Sequence, residues 1–162
     1  MDNRELGDVD IVAIDFDSSS QCVLMGSLFG PLLLWRLGQD DPVLLEGHSG
    51  KVLDVVVGPG GHSAVSAASD DTICIWDLDA ARLKRHVQGG HGRADACVIA
   101  RSGNLAYAIY GDTLVAYDVM ACTCIGSLSL DHQITAVSVT PTGALLAVGD
   151  LSGRVHFLSL EK

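Results

Sequence analysis

The sequence is short of positive charge, of long apolar runs and of paired cysteines, and each shortage removes a class of function. Ten Lys and Arg stand against twenty Asp and Glu, a net charge of −10 that repels phosphate backbones. Arg82, Lys84 and Arg85 form the one dense cationic group, and they alternate around Leu83 as the solvated face of an outer strand would, so nucleic acid is not expected as a partner. The longest apolar runs, such as PLLLW at 31–35, fall far short of the roughly 20 residues that span a bilayer. The opening MDNRELGDVD has no apolar core and does not read as a signal peptide. The expectation is therefore a cytoplasmic chain, with the nucleus as the alternative, and no membrane partner. Five cysteines, at 22, 74, 97, 122 and 124, are odd in number and hold no CxxC pair, so neither a disulfide framework nor a four-thiolate zinc site is signalled. They read as reduced and mostly as small buried apolar residues.

What is present is apolar and rich in turns. Hydrophobic residues make up 48% of the chain and charged residues 19%, which excludes a disordered segment, and eighteen glycines are spread along its length. At 162 residues the chain suits one domain, 1–162, that buries roughly 70% of the surface its unfolded form exposes.

The chain repeats. Trp35, Trp76, Tyr117 and Leu158 recur at an interval of 41 residues, and two residues on stand Leu37, Leu78, Val119 and Leu160. Upstream, IVAIDF from Ile11, VLDVVV from Val52, RADACV from Arg93 and ITAVSV from Ile134 share one apolar phase. Ile14, Val55, Ala96 and Val137 form one column, and Phe16, Val57, Val98 and Val139 another, with the period of a strand that buries one face. Gly, Asp, Ser and Pro turns separate short apolar stretches, giving up to four strands per copy: an all-β chain of four antiparallel sheets, at about 9–46, 47–88, 89–130 and 131–160. Each is a β-propeller blade. Alternation of apolar residues, and glycines in every window of helical length, exclude a helical reading.

The second copy, GHSGKVLDVVVGPGGHSAVSAASDDTICIWDL from Gly47 to Leu78, resembles a WD repeat in its Gly-His opening, its Trp-Asp close and its period. The resemblance implies a structural hydrogen-bonded tetrad of His48, Ser66, Asp70 and Trp76. In that arrangement Asp70 fixes the imidazole tautomer, Ser66 relays between His48 and the indole N–H, and Trp76 supplies buried area. The other copies depart from it: Phe29, Gly111 and Ser152 occupy the Asp column, and Tyr117 and Leu158 the Trp column. His91 and His132 precede the third and fourth copies, either as degenerate copies of the loop His or as exposed loop residues.

The resemblance implies an incomplete propeller. The last copy stops after its third strand, as the family does when the chain's beginning supplies the outermost one, yet MDNRELGDVD is too polar to fill that role. Propellers of this family commonly have about seven blades, so four leave two apolar faces open to self-association or to more chain. The expectation is the C-terminal part of a larger WD-repeat protein.

Function follows from the rim rather than from chemistry in the strands. A Ser-His-Asp set suggests a hydrolase, but Ser66 is a strand residue with no nucleophile-elbow sequence. GHSGK lacks the GxxxxGK[ST] spacing of a phosphate loop, and the His86, His91, Asp95 and Cys97 set spans three elements. Asp40-Asp41 and Asp70-Asp71 read as turns. No catalytic residue, cofactor or metal is expected. On the rim beside His48 the exposed columns are Asp10, Lys51, Gly92 and Gln133, then Val12, Leu53, Ala94 and Thr135, and Lys51, Leu53, Gln133 and Thr135 are the candidate contacts for a protein or peptide partner. The expected function is a non-catalytic interaction scaffold. The alternatives are a sensing or autoinhibitory portion of a larger NACHT-type ATPase, or a truncated product without its own activity.

Overall fold

The computed structural model describes residues 9–159 apart from 18 and 20. Leu160, to which the sequence assigned a column, and the first eight residues, which the sequence reads as too polar for an outermost strand, lie outside the described residues. Fifteen strands are formed among the described residues, with one 3₁₀ turn at Pro59–Gly61. They make four antiparallel sheets in plain meander order. Blade 1 holds β1 (Ile11–Asp17), β2 (Cys22–Ser27), β3 (Leu32–Arg36) and β4 (Val43–Leu45). Blade 2 holds β5 (Val52–Val57), β6 (Ser63–Ala68), β7 (Thr72–Asp77) and β8 (Arg82–Gln88), and blade 3 holds β9 (Ala96–Ile99), β10 (Leu105–Tyr110), β11 (Thr113–Asp118) and β12 (Thr123–Ser129). Blade 4 has three strands, β13 (Ile134–Val139), β14 (Leu145–Asp150) and β15 (Val155–Ser159). The molecule is a four-bladed β-propeller.

Alternation along each strand creates two apolar faces per blade, one leading toward the preceding blade and one trailing toward the next. The trailing face of blade 1, with Cys22, Leu24, Leu32, Leu34 and Leu45, packs on the leading face of blade 2, with Val55, Val57, Ala64, Cys74 and Trp76. Val65, Ala67, Ile73, Ile75 and Val87 then meet Ala106, Ala108, Val115 and Tyr117 of blade 3. Tyr107, Ile109, Leu114 and Ala116 in turn meet Leu146, Val148 and Leu158 of blade 4. The core is thus three flat layers between four sheets. The repeat persists in the backbone even where the residue type does not favour it: Ala81 and Cys122, one period apart, both take left-handed turns at φ 50° and 57°.

The end faces differ from the inner ones. Ile14 is 65% exposed, whereas Val55 in the same column of blade 2 is 3% exposed. Phe16, also expected on a buried face, is exposed too. The expectation of one buried column is corrected at β1: no other blade among the described residues packs on Ile14 and Phe16, although Met25 and Leu33 farther along the same face are buried. β5 packs on β1, β9 on β5 and β13 on β9, while no packing of that extent joins the described strands of blade 4 to blade 1.

The four inner strands curve around a cavity of about 400 Å³ lined by Ile14, Asp15, Asp54, Val98, Arg101 and Val137. Across it, Arg101 after β9 pairs with Asp15 on β1 at 2.6 Å, and Asp15 also accepts the Val57 N–H at 2.8 Å. Asp54 accepts the N–H groups of Val55 and Ile99, each at 2.9 Å, and burial pushes its carboxyl up to about 6. These carboxylates tie inner strands of neighbouring blades together at backbone positions the ladders leave open.

Candidate functional site

The tetrad residues meet at the interface of blades 1 and 2, on the rim formed by the loop 46–51 and the β6–β7 turn. The order of donors is fixed by chemistry. The Trp76 indole N–H can only donate, and it donates to Ser66 Oγ at 2.8 Å. Ser66 Oγ also lies 2.7 Å from His48 Nε2, and because the Asp70 carboxylate at the far end takes the Thr72 hydroxyl proton, it is Ser66 that donates to Nε2. That leaves the proton of His48 on Nδ1, which faces Thr72 Oγ1 at 2.9 Å and Asp70 Oδ2 at 3.4 Å. The Thr72 hydroxyl then donates to Asp70 Oδ1 at 2.6 Å, and the Ser49 N–H donates to Asp70 Oδ2, also at 2.6 Å.

The sequence reading had Asp70 acting on the ring directly. The shorter contact is through Thr72, a residue read only as a strand former, which stands at hydrogen-bond distance from both groups. Its position two residues after an Asx turn is the one signal that would have found it. The glycines of GHSG have a steric reason as well. A Cβ on Gly47 would lie 2.6 Å from Trp76 Cη2, and one on Gly50 would lie 2.8 Å from Ser69 Oγ.

Electrostatics keeps the chain of bonds neutral at its centre. Burial pushes the His48 imidazole below its ordinary 6.5, and the pull of Asp70 in the other direction does not overcome it. Burial also works to raise Asp70, but the Thr72 hydroxyl, the Ser49 N–H and His48 outweigh it and hold that carboxyl below its ordinary 3.8. A neutral imidazole beside an ionised carboxylate suits structure. Ser66 is fully buried with its hydroxyl engaged on both sides, so the arrangement offers no exposed nucleophile.

Two further clusters were not foreseen. Asp71 takes a left-handed φ of 64°, and its Oδ2 accepts the His91 and Gly92 N–H groups at 3.0 and 3.2 Å, while Tyr110 of blade 3 donates its hydroxyl to Oδ1. The turn aspartate thus anchors the loop into the next blade, and the His91 ring packs against Tyr110 at 5.1 Å. In blade 4, Asp150 Oδ1 accepts from the Ser152 hydroxyl and from the Ser152 and Arg154 N–H groups, and Oδ2 lies 2.8 Å from His156 Nε2. Those partners, His156 foremost, hold the Asp150 carboxyl well below the usual carboxylate range. The blade therefore carries an Asp-His pair two positions ahead of its Ser152 column.

Of the proposed contact residues, Lys51, Gln133 and Thr135 are exposed, and the Thr135 hydroxyl donates to the Gly149 carbonyl at 3.3 Å. Leu53 is half-buried and packs on the core between blades 2 and 3. Ala94, expected in an exposed column, is buried, because the loop into blade 3 folds inward under Asp71. The same rim carries two residues that the sequence did not mark as contacts: Phe29, named there only as a departure in the Asp column and 72% exposed, and Leu151, 70% exposed, each at a β-turn.

All five cysteines are free thiols; Cys22 and Cys74 are buried, Cys97 and Cys122 half-buried, and Cys124 exposed. Burial pushes the Cys74 and Cys97 thiols up to about 12. Among the described residues no group of three or more His, Cys, Asp and Glu is arranged to hold a metal, the His86, His91, Asp95 and Cys97 set included. No helix among them is long and apolar enough to cross a membrane.

Comparison with known proteins agrees with this geometry. A family model described as WD domain, G-beta repeat matches residues 42–77, the stretch that ends at the Trp76-Asp77 pair. The chain is 28% identical over 150 residues to the WD repeat-containing protein SL1-17 of Schistosoma mansoni, covering 88% of this chain and 49% of that protein. It is 21% identical over 156 residues to the pre-mRNA-splicing factor cwf17 of Schizosaccharomyces pombe, covering 94% and 46%. It is 24% identical over 155 residues to the p21-activated protein kinase-interacting protein 1-like of Danio rerio, covering 94% and 41%. The chain spans about half or less of the length of these curated relatives. The four meander blades and the bonded His48, Ser66, Thr72, Asp70 and Trp76 give the chain a WD-repeat type of β-propeller fold, and the family match falls on the blade that carries those residues.

Proposed function

We propose that this chain is a non-catalytic platform that binds a protein or peptide on the rim carrying the His48 loop, and that it does so in the cytoplasm. The observation that carries the reading is the pair of exposed large apolar residues, Phe29 and Leu151, at turns of one rim whose underlying loop is held by the His48 network. Turns normally carry polar residues, and exposed aromatic and aliphatic side chains on a rigid support are what a protein partner buries. Lys51, Gln133 and Thr135 supply polar contacts around them. The network's own polar groups face one another, which leaves it the task of holding the rim. One relative, the Danio rerio protein, is named for interaction with another protein, which supports the same use here.

Affinity capture tests this with three versions of the chain: wild type, a rim double variant Phe29→Ser with Lys51→Glu, and Asp79→Ala on the opposite rim, where Asp79 pairs with Arg36 and His62. A reproducible partner that is lost with the rim variant and kept with Asp79→Ala is expected. Equal capture by all three versions would place binding elsewhere.

A further inference from the structure

We propose that a slot between blades 2 and 3, on the rim opposite the His48 loop, takes the tyrosine side chain of an acidic peptide, the phenol lying against Val65 and donating to the Gly103 carbonyl. A cavity of about 240 Å³ opens there, between two blades that pack on each other. The buried side chains of Val65 and Ile75 line it together with exposed Pro59 and Met120, and exposed Lys84 and Asn104 supply its polar edge.

The next interface shows what fills such a slot. Leu24, Val65 and Tyr107 hold one position in blades 1, 2 and 3, each paired across its sheet with Leu34, Ile75 or Ala116, which recur at the 41-residue interval. Gly61, Gly103 and Gly143 likewise hold one position at the turn after the inner strand. Each has a positive φ and donates its N–H to the carbonyl three residues earlier. Between blades 3 and 4, Tyr107 is 1% exposed and reaches across to donate its hydroxyl to the Gly143 carbonyl. Between blades 2 and 3, Val65 stands in place of that tyrosine and has no hydroxyl to give. A Cβ on Gly143 would lie 2.7 Å from Leu105 Cδ1, whereas one on Gly103 would have only Val65 Cγ2 within 4 Å, at 3.8 Å. Among the described residues the Gly103 carbonyl accepts no hydrogen bond.

What this interface lacks is therefore a phenol. The cavity is smaller than the roughly 300 Å³ at which pockets for drug-sized molecules begin, and it suits a single aromatic side chain. Met120 stands one period after Asp79, which pairs with Arg36 and His62 between blades 1 and 2; here a flexible thioether, which favours the edge of an aromatic ring, replaces that ion pair. Lys84 sets the charge of the occupant. In a chain with twenty acidic residues, no carboxylate among the described residues pairs with it, so a carboxylate beside the tyrosine of a peptide meets a free cation. This site is separate from the His48 rim and stands or falls without it.

Methyl nuclear magnetic resonance on the full chain tests the proposal with three probes: 4-methylphenol, a capped Asp-Tyr-Asp peptide and a capped Asp-Leu-Asp peptide. The first two are expected to shift the Val65, Ile75 and Met120 methyl signals, and the leucine peptide to leave them in place. Val65→Tyr supplies the ring from within, as Tyr107 does, and is expected to melt no lower than wild type and to abolish the Ile75 and Met120 shifts. Lys84→Glu, a change on an exposed side chain, should weaken the tyrosine peptide about two- to fivefold, the worth of an exposed ion pair, and leave 4-methylphenol unaffected. Absence of shifts at millimolar probe overturns the proposal, as do equal shifts from the leucine peptide. A lower melt of Val65→Tyr would show that the slot rejects the ring, and shifts that persist in that variant would show binding elsewhere; either result overturns it as well. Unchanged affinity of the tyrosine peptide for Lys84→Glu overturns the acidic class of partner.

Discussion

Trp35 and Trp76 occupy the same column one period apart, in strands of the same length class and pairing, and their surroundings have little in common. Trp76 is fully buried, its N–H held by Ser66, with His48 edge-on at 6.2 Å. Trp35 is half-buried, and its N–H donates to the carbonyl of Gln39 in the adjacent turn at 3.1 Å. The difference lies outside the strand that carries each ring. Blade 2 has a blade in front of it and the Gly47-His48 loop over it; the leading face of blade 1 has neither among the described residues. A repeat position therefore fixes where a side chain points, while its energetic worth depends on the neighbour that closes over it.

The sharpest way to break this comparison is to truncate both rings. Trp76→Ala is expected to cost about 3–5 kcal/mol of unfolding free energy, the usual loss for a large buried aromatic. Trp35→Ala should cost well under half as much, since a half-buried ring leaves no closed cavity. Urea unfolding of the two variants measures both, and equal losses would mean that blade 1 is covered in solution as fully as blade 2.

Next in size is Ser66→Ala, which leaves a buried indole N–H and His48 Nε2 without partners at a cost of about 2–3 kcal/mol. The matching change in blade 1, Met25→Ala, removes apolar volume alone, so only the blade 2 variant should alter the His48 imidazole resonances. Smaller again is Thr72→Val, which keeps the shape of the strand and removes the hydroxyl between His48 and Asp70. A loss of about 1 kcal/mol is expected. No loss at all would mean that Asp70 takes the Nδ1 proton directly, as the sequence alone suggested.

The smallest effects are in pH dependence, where two groups act with opposite sign. His48 is held below the 6.5 of the unfolded chain, so its contribution to stability is present above that value and is lost as pH falls through 6.5 toward the folded value. Asp54 is held at about 6 against 3.8 unfolded, so its contribution is fully present below 3.8 and is lost as pH rises through 6. Nuclear magnetic resonance titration of the native chain should find the Asp54 carboxyl midpoint near 6 and the His48 midpoint below 6.5. A His48 midpoint above 6.5 would mean a charged ring and a reversed order of donors.

Much of the fold was legible because a strand that buries a face must alternate, and a chain that alternates with one period must stack like units. The resemblance to a WD repeat pointed to His48, Ser66, Asp70 and Trp76, and the structure links them in one chain of bonds that runs through Thr72. Thr72 escaped because a β-branched residue in a strand already has a sufficient reason to be there. Asp71 escaped because two adjacent aspartates in a turn look alike, although one turns inward to Thr72 and Ser49 and the other forward to the next blade. Asp150 escaped because matching by column pointed to Ser152, whereas the carboxylate that serves this turn sits two residues earlier and works with His156. Exposure of Ile14 and Phe157 could not be read from their own blades at all, since it depends on what packs against each face.

The direction of the bonds around His48 has an implication for how such a blade decays. Each link is set by the one before it: a donor that can only give, a hydroxyl that must turn to receive, a ring nitrogen left bare by that turn, and a proton displaced to the far side. A one-way series of this kind has no serviceable half, because deleting any member reverses or strands the others. The remaining copies read that way. Where Trp76 and Ser66 stand in blade 2, blade 1 has Trp35 beside Met25, blade 3 has Tyr117 beside Ala108, and blade 4 has Leu158 beside Val148. None keeps a remnant of two or three linked members; each has gone over to apolar contact or to a different carboxylate. Among the described residues, the polarised network stands whole in blade 2 and in no other blade.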